Sequence, residues 1–278
     1  MAASLNLGSS GARSWARRWV PRWLWRIAGS FLGQRIRFTG SYEDWAAARD
    51  QAGEGYAAPD ILERARVSTR ALSEAGTQPA APPFYVLAAV LLAASMRGEQ
   101  LSTIDFSGAL GSTYFRCTRY LKRLGEVRWT VVEQAGFIAC GRRDFESAVL
   151  RFAATLEDCA EHGRPDIVIF SAVLQYLERP LDVLRKAALL HPRVIIIDRT
   201  PIVRMPASCV AIQRVPPRLG KAAYPAWLFN ERELLAAVPA NYALLAAFDA
   251  LDGVMNYGLR RVEFRGFILE NMDGQPGT

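Results

Sequence analysis

One stretch, from Leu101 to Gln134, constrains the fold of this chain more than any other. It begins with a short β-type run, Leu101 to Phe106, and passes through a turn of small residues, Ser107 to Gly111, to Ser112, a plausible N-cap. The following residues place side chains at i, i+3, i+7 and i+10 on one helical face, namely Tyr114, Cys117, Leu121 and Leu124. A second apolar run then stops at Glu133. The order predicts a strand, a turn, a helix and a second strand that ends in an acid.

This arrangement is suited to binding a nucleoside. A turn of small residues lets a ligand approach backbone amides and the positive end of a helix. Glu133 lies 22 positions after Gly111, where a carboxylate can accept both hydroxyls of a ribose. Asp105 precedes the turn and would repel a pyrophosphate but attract an ammonium group. The ligand that combines an adenosine with an amino group is S-adenosylmethionine.

The same turn also allows a simpler interpretation. Ser107 and Ala109 occupy positions where glycine is usual in nucleotide-binding loops. An ordinary strand-to-helix turn in an α/β core therefore remains an alternative.

The rest of the chain predicts a Rossmann-like, doubly wound, mostly parallel α/β sheet. Further strands are predicted at 149–152, at DIVIF after Pro165, and at 194–197, with helices at TLEDCAEH and PLDVLRKAALL between them. Near the C-terminus, SCVAIQRVP, YALLAAFDA and VEFRGFILEN are strand-like, and WLFNERELLAAV is helical. The last two strand-like runs are expected to pair antiparallel at the sheet edge.

Several separate motifs resemble a family of class I S-adenosylmethionine-dependent methyltransferases found in bacterial gene clusters for surface polysaccharide. The resemblance covers about Phe38 to Phe267. It rests on FTGSYEDW, GYAAPDIL, DFSGALGS, VVEQ, FSAVLQYLERP, IIIDRTP and YPAWLF. It implies the class I methyltransferase-like fold with an antiparallel C-terminal hairpin, S-adenosylmethionine as cofactor, and a sugar as methyl acceptor.

The resemblance and the position of residues after strands together predict the cofactor site. In an open α/β sheet the ligand lies beyond the carboxyl ends of the strands. Gly108 and Gly111 are expected to let the backbone approach the cofactor, Asp105 to hold the methionine end and Glu133 the ribose. Ser107, Ser171 and Asp158 complete this predicted set, with Asp158 in the region that reads the adenine amino group.

Transfer to an oxygen or nitrogen acceptor needs a base as well as alignment of donor and acceptor. Both histidines, His162 and His191, precede strands and belong at the opposite edge of the sheet. Asp198 or Tyr176 is therefore the predicted catalytic residue. The predicted substrate-binding residues, which supply hydrogen bonds and flat surfaces for a sugar, are Gln175, Arg199, Tyr224 and Trp227. The alternative for Tyr224 to Trp227 is a packed turn.

The charge is concentrated at the N-terminus. The net charge is +7, and residues 1–37 contain seven arginines and no acid, so residues 38–278 are neutral overall. A nucleic-acid groove across the body is therefore disfavoured. Residues 14–27, SWARRWVPRWLWRI, alternate tryptophan with arginine and predict attachment to an anionic inner-membrane surface, with packing on the protein itself as the alternative.

The predicted organisation is a basic tail (1–37), an N-terminal helical cap (38–100) that closes the cleft or packs on the sheet, and a methyltransferase-like domain (101–278). No apolar run reaches 18 residues, and the four cysteines show no metal spacing. We therefore expect a cytoplasmic protein, peripheral on the inner membrane, with no metal site.

The expected function is transfer of a methyl group to a polar acceptor, a small-molecule or lipid-linked glycan. Two alternatives stay open: a catalytically silent relative that serves as a membrane-peripheral partner in a glycan biosynthesis complex, and a nicotinamide-dependent oxidoreductase. Against the oxidoreductase, the chain lacks a Tyr-x-x-x-Lys pair, and Asp105 would repel the pyrophosphate of a nicotinamide cofactor. The sequence leaves the oligomeric state and the acceptor open.

Overall fold

A computed structural model describes residues 36–52, 59–74, 82–161, 163–215 and 222–273. The tryptophan- and arginine-rich segment 14–27 and His162 lie outside the described residues. No helix in the described ranges is long and apolar enough to cross a membrane.

The elements alternate between strands and helices through most of the chain. The strands are β1 (Arg37–Tyr42), β2 (Leu101–Phe106), β3 (Val127–Val132), β4 (Leu150–Ala153), β5 (Ile167–Ser171), β6 (Val194–Val203), β7 (Cys209–Val215), β8 (Ala222–Leu228), β9 (Tyr242–Tyr257) and β10 (Arg260–Asn271). The helices are α1 (Trp45–Ala52), α2 (Pro59–Glu74), α3 (Phe84–Ser95), α4 (Ser112–Leu121), α5 (Ala135–Asp144), α6 (Leu156–Ala160), α7 (Pro180–Ala188) and α8 (Glu231–Ala236), with a 3₁₀ turn at Leu174–Tyr176.

The strands form one mixed sheet in the order β4-β3-β2-β5-β6-β10-β9-β1-β7-β8. Strands β4, β3, β2, β5 and β6 are parallel, and β10 and β9 add an antiparallel hairpin beside β6. The central strands are buried on both faces, as crossover helices require. This confirms the predicted doubly wound α/β fold with its C-terminal hairpin.

Two hydrophobic clusters cover the two faces of the parallel half. One joins α3, α4 and α5 to the side chains of one face, including Trp129 and Ile169. The other joins α6, α7 and α8 to the opposite face, including Phe170 and Phe267. The apolar run Phe84–Ser95 is a helix with six buried residues, as its length predicts.

The other half of the sheet closes on itself, which the sequence did not predict. Beyond β8, Phe229 forms a parallel bridge with Ile202 at the end of β6, with hydrogen bonds from Val203 N to Phe229 O and from Phe229 N to Pro201 O, both 2.9 Å. Strands β6, β10, β9, β1, β7 and β8 therefore form a ring. A third cluster that includes Phe38 and Phe264 fills its interior.

Sequence predictions for the N-terminal region, the C-terminal hairpin and the last helix differ from the structure. The region 38–100 was expected to be helical, but it begins with β1, whose Phe38 is buried in the ring and whose backbone pairs with β7. The hairpin is not the sheet edge, because β1, β7 and β8 continue the sheet beyond it. The first residues of WLFNERELLAAV belong to β8, and helix α8 starts only at Glu231, after the N-cap Asn230. That the N-terminal helices cap the cleft stays a prediction.

Candidate active site

The acid at the tip of β3 binds the loop that follows β2. Glu133 Oε1 accepts hydrogen bonds from Ser107 Oγ (3.1 Å) and Ala109 N (3.2 Å), and its Oε2 accepts from Gln134 N (2.9 Å). The side chain is 7% exposed, and burial raises its pKa while these hydrogen bonds lower it. The structure therefore brings Glu133, Ser107 and the loop backbone together at the carboxyl edge of the sheet, as predicted.

The backbone of this edge is left-handed at residues that are not glycine. Ser107 has φ of 57° and Ala109 has φ of 53°. Ala172, directly after β5, and Arg199, within β6, both have φ of 56°. Each such residue costs on the order of 1 kcal/mol. Strained positions of this kind cluster at ligand-binding edges because the surrounding structure holds them. The two residues that stand in place of glycine thus adopt the conformation that glycine would.

Asp105 lies beneath the loop rather than on its surface. The carboxyl group accepts a hydrogen bond from Trp129 Nε1 at 3.3 Å, and the residue is 2% exposed. Burial raises the pKa of Asp105 to about 7, opposed by hydrogen bonds from Trp129 and Thr113, and the charge of Glu133 raises it further. A direct contact with an ammonium group stays a prediction that requires the loop to shift, because the carboxyl is enclosed here.

The two glycines of the loop make room for the protein's own side chains. A Cβ at Gly108 would lie 2.5 Å from Asp105 Cγ, and a Cβ at Gly111, where φ is +85°, would lie 2.9 Å from Leu150 Cδ2. That both glycines let the backbone approach a cofactor stays a prediction. Glycine is required at these positions for packing and, at Gly111, for the left-handed start of α4.

A second pair of polar side chains joins the ends of β5 and β6. Ser171 Oγ donates a hydrogen bond to Asp198 Oδ2 at 3.1 Å, and the two residues are register partners. Asp198 is 5% exposed, and burial raises its pKa while the bond from Ser171 lowers it. Strand β6 does not end at Ile197 as predicted but continues to Val203, with Arg199 at an irregularity in its pairing with β10.

Tyr176 packs against the cluster that fills the ring, and we call Tyr176 and Tyr224 the ring mouth. Its hydroxyl donates to Gln213 Oε1 at 3.0 Å, and Tyr224 meets its ring edge-on at a centroid distance of 5.3 Å. Burial raises the pKa of Tyr176, which makes its phenolate harder to form. Of the two predicted catalytic residues, Asp198 is thus better suited to accept a proton near neutral pH.

The remaining predicted substrate residues differ in what they already bind. Trp227 donates from Nε1 to Leu177 O (3.1 Å) and stacks on Trp45. Tyr224 to Trp227 belong to strand β8 and not to the turn that was the alternative, so a substrate role for them stays a prediction. The guanidinium of Arg199 forms two bonds to Asp252, at 2.7 and 2.9 Å. Gln175 is 1% exposed, and its Oε1 has no hydrogen-bond partner in the described structure.

Asp158 has a local structural role. Its Oδ2 accepts from Thr155 N and Ala154 N, while its own amide donates to Thr155 Oγ1, which completes a capping box at the start of α6. This box explains the acid without a ligand, so the adenine-reading role stays a prediction. His191 lies before β6 at the opposite edge of the sheet, as expected.

No group of three or more His, Cys, Asp or Glu side chains in the described ranges is placed to hold a metal ion. The positions that the sequence analysis missed are Trp129, Thr113 and Asp252. Trp129 and Asp252 contact predicted residues from distant parts of the chain, and no local pattern in the sequence marks those contacts. Thr113 lies only eight positions after Asp105, at the start of α4.

Comparison with known proteins gives remote structural similarity only. No family model matches the chain. No curated protein matches it either. Among solved structures, the N-terminal domain of EvdMO1 with SAH bound is 13% identical, covers 76% of this chain and 95% of its own, and has a TM-score of 0.43. An S-adenosylmethionine-dependent methyltransferase from Clostridium acetobutylicum is 8% identical, with coverages of 75% and 98% and a TM-score of 0.42. The CcbJ methyltransferase from Streptomyces caelestis is 13% identical, with coverages of 73% and 95% and a TM-score of 0.41.

Proposed function

We propose that the protein transfers a methyl group from S-adenosylmethionine to a polar acceptor, a sugar in surface polysaccharide synthesis. The observation that carries the proposal is the Glu133 carboxylate, which joins the tip of β3 to the left-handed loop after β2. The sugar acceptor comes from the resemblance of the motifs.

The residues present fit an adenosine ligand. An ionised carboxylate offers about four acceptor positions. Protein donors occupy three of those on Glu133, which leaves about one for a ribose hydroxyl, with the Ser107 hydroxyl beside it. The strained loop holds these groups in place before the ligand arrives, which lowers the entropy cost of binding.

Asp198 is the proposed base. S-adenosylmethionine supplies an activated methyl group, so the chain has to align the acceptor and exclude water. As the acceptor oxygen forms its bond to the methyl carbon, the bond from that carbon to sulfur would break and S-adenosylhomocysteine would leave. The hydroxyl proton would pass to the Asp198 carboxylate. Burial raises the pKa of this carboxyl, which brings it closer to neutral pH, where a base is most effective.

Gln175 and the ring mouth support a sugar acceptor. The buried Oε1 of Gln175 lacks a donor, and an acceptor hydroxyl would supply one once a local shift exposes this oxygen. The rings of Tyr176 and Tyr224 add flat apolar surface nearby. A sugar combines both features, since it carries hydroxyl groups on its edges and C–H groups on its faces.

The test is methyl transfer itself. Purified wild-type protein, incubated with methyl-labelled S-adenosylmethionine and a glycolipid extract of a producing cell, is expected to label the extract. Asp198→Asn should lower labelling by about two orders of magnitude without loss of cofactor binding. Equal labelling by this variant would refute the role of Asp198.

A catalytically silent partner protein is the second candidate. The enclosure of Asp105 and the engagement of Arg199 by Asp252 favour it, because both remove groups expected at a reactive site. It predicts co-purification with glycosyltransferases and no label in the extract.

A further inference from the structure

Exposed leucine and arginine side chains lie together at the tip of the β9–β10 hairpin. Leu259, in the turn between the two strands, is fully exposed (106%), and Arg260 and Arg261 follow it with exposed side chains. Leucine at such a position gains nothing from the protein's own core. We call Leu259, Arg260, Arg261 and the neighbouring Arg204 the tip surface.

The register brings Arg204 beside the hairpin. Val203 of β6 is the register partner of Val262, and both side chains point into the ring. The next residues outward, Arg204 and Arg261, therefore share the outer face. The side chain of Arg204 is 90% exposed and lies 4.0 Å from Glu263.

Two of the three arginines of this surface, Arg260 and Arg261, have no acidic partner among the described residues, whereas Arg204 lies near Glu263. An open groove of about 1420 Å³ adjoins it and contains three acids, Glu231, Glu233 and Glu263. Glu231 is paired with Arg265, Glu233 accepts a bond from Ser208 N at 2.8 Å, and Glu263 faces Arg204. Arg260 and Arg261 form no ion pair with the described part of the chain.

We propose that the tip surface docks on an anionic lipid bilayer. Exposed arginine side chains can bind the phosphates of anionic lipids, and a fully exposed leucine beside them can enter the membrane interface. Peripheral membrane proteins bind anionic bilayers by this combination. A nucleic acid would use the arginines but leave Leu259 unused. The proposal is independent of the proposed methyl transfer.

The experiment measures co-sedimentation of the full chain with vesicles of phosphatidylcholine alone or of equal parts phosphatidylcholine and phosphatidylglycerol. The variants are Arg260→Glu with Arg261→Glu, and Leu259→Asp. A matched control, Lys122→Glu with Arg123→Glu, reverses two exposed neighbouring charges at the end of α4.

Wild type and control are expected to bind the anionic vesicles only. The double tip variant should bind at least about tenfold more weakly, since each arginine near the surface contributes substantially to attraction. Leu259→Asp should also weaken binding. Equal binding of wild type and tip variants, or no binding of wild type to either vesicle, would overturn the proposal. Sedimentation velocity without lipid tests the alternative. A dimer of wild type that Leu259→Asp converts to monomer would overturn the proposal in favour of an interface between two copies of this chain.

Discussion

The carboxyl group of Asp105 lies directly against the Cα of Gly108, where an added Cβ would stand 2.5 Å from Asp105 Cγ. The loop that follows β2 is therefore folded around its own acid. This contact explains why glycine occupies position 108 and why Asp105 is buried although it stands at the edge of the sheet.

Gly108→Ala is expected to lower the free energy of unfolding by about 1–3 kcal/mol, because the new methyl group overpacks against Asp105. Gly125→Ala is the matched control, since its Cβ would meet only Glu99 O at 3.9 Å. Urea unfolding measures both. A double variant with Asp105→Ala should recover part of the loss, and a cycle without such coupling would contradict the contact.

The stability of the protein should fall with rising pH because of Asp105. Its pKa is raised from 3.8 to about 7 in the folded state. Because the pKa is higher in the folded state, the neutral Asp105 carboxyl stabilises the fold fully at pH values below its pKa in the unfolded chain. This stabilisation is lost as pH rises through about 7. Asp105→Asn removes this titration.

Urea unfolding at about pH 5 and about pH 8 measures the free energy of unfolding of both proteins. The stability of Asp105→Asn relative to wild type should therefore be greater at the higher pH. The same difference between the two proteins at both values would show that the carboxyl does not titrate in this window.

The left-handed residues of the loop should respond oppositely to glycine. Ala109→Gly relieves a positive φ and is expected to leave stability unchanged or raise it by up to about 1 kcal/mol. Ser107→Gly relieves the same strain but loses the hydrogen bond to Glu133, worth about 1–2 kcal/mol. Thermal unfolding should rank Ala109→Gly above Ser107→Gly, and the reverse order would argue against this bond.

The pH dependence of methyl transfer should shift when Ser171 is changed. The Ser171 hydroxyl stabilises the charged form of Asp198 and lowers its pKa. In Ser171→Ala this pKa rises, so the rising limb of kcat/KM against pH should move to higher pH. An unmoved limb would exclude Asp198 as the titrating base.

The sequence predicted the parallel half of the fold because its signals are local. Apolar runs such as the one ending at Glu133, and the helix face that includes Cys117, depend only on neighbouring residues. The ring was missed because it depends on pairings between distant residues, such as Phe38 with Tyr257 and Thr39 with Ile212.

Within the site, position was easier to predict than contact. Glu133 lies directly after β3, as its sequence context indicated. Asp198 lies within β6 rather than after it, but it is still paired with Ser171 at the end of β5. The burial of Asp105 depends on Trp129, 24 residues away, and the engagement of Arg199 depends on Asp252, 53 residues away. Neither partner forms a recognisable spacing with the residue it binds.

The most direct test of the cofactor site is calorimetric titration of S-adenosylhomocysteine into three proteins: wild type, Glu133→Gln and Glu126→Gln. Glu126 precedes β3 at the opposite edge of the sheet and is exposed, so it controls for the loss of one charge. We expect wild type and Glu126→Gln to bind equally and Glu133→Gln to bind at least about tenfold more weakly. Equal binding by Glu133→Gln, or no heat of binding in wild type, would contradict the account.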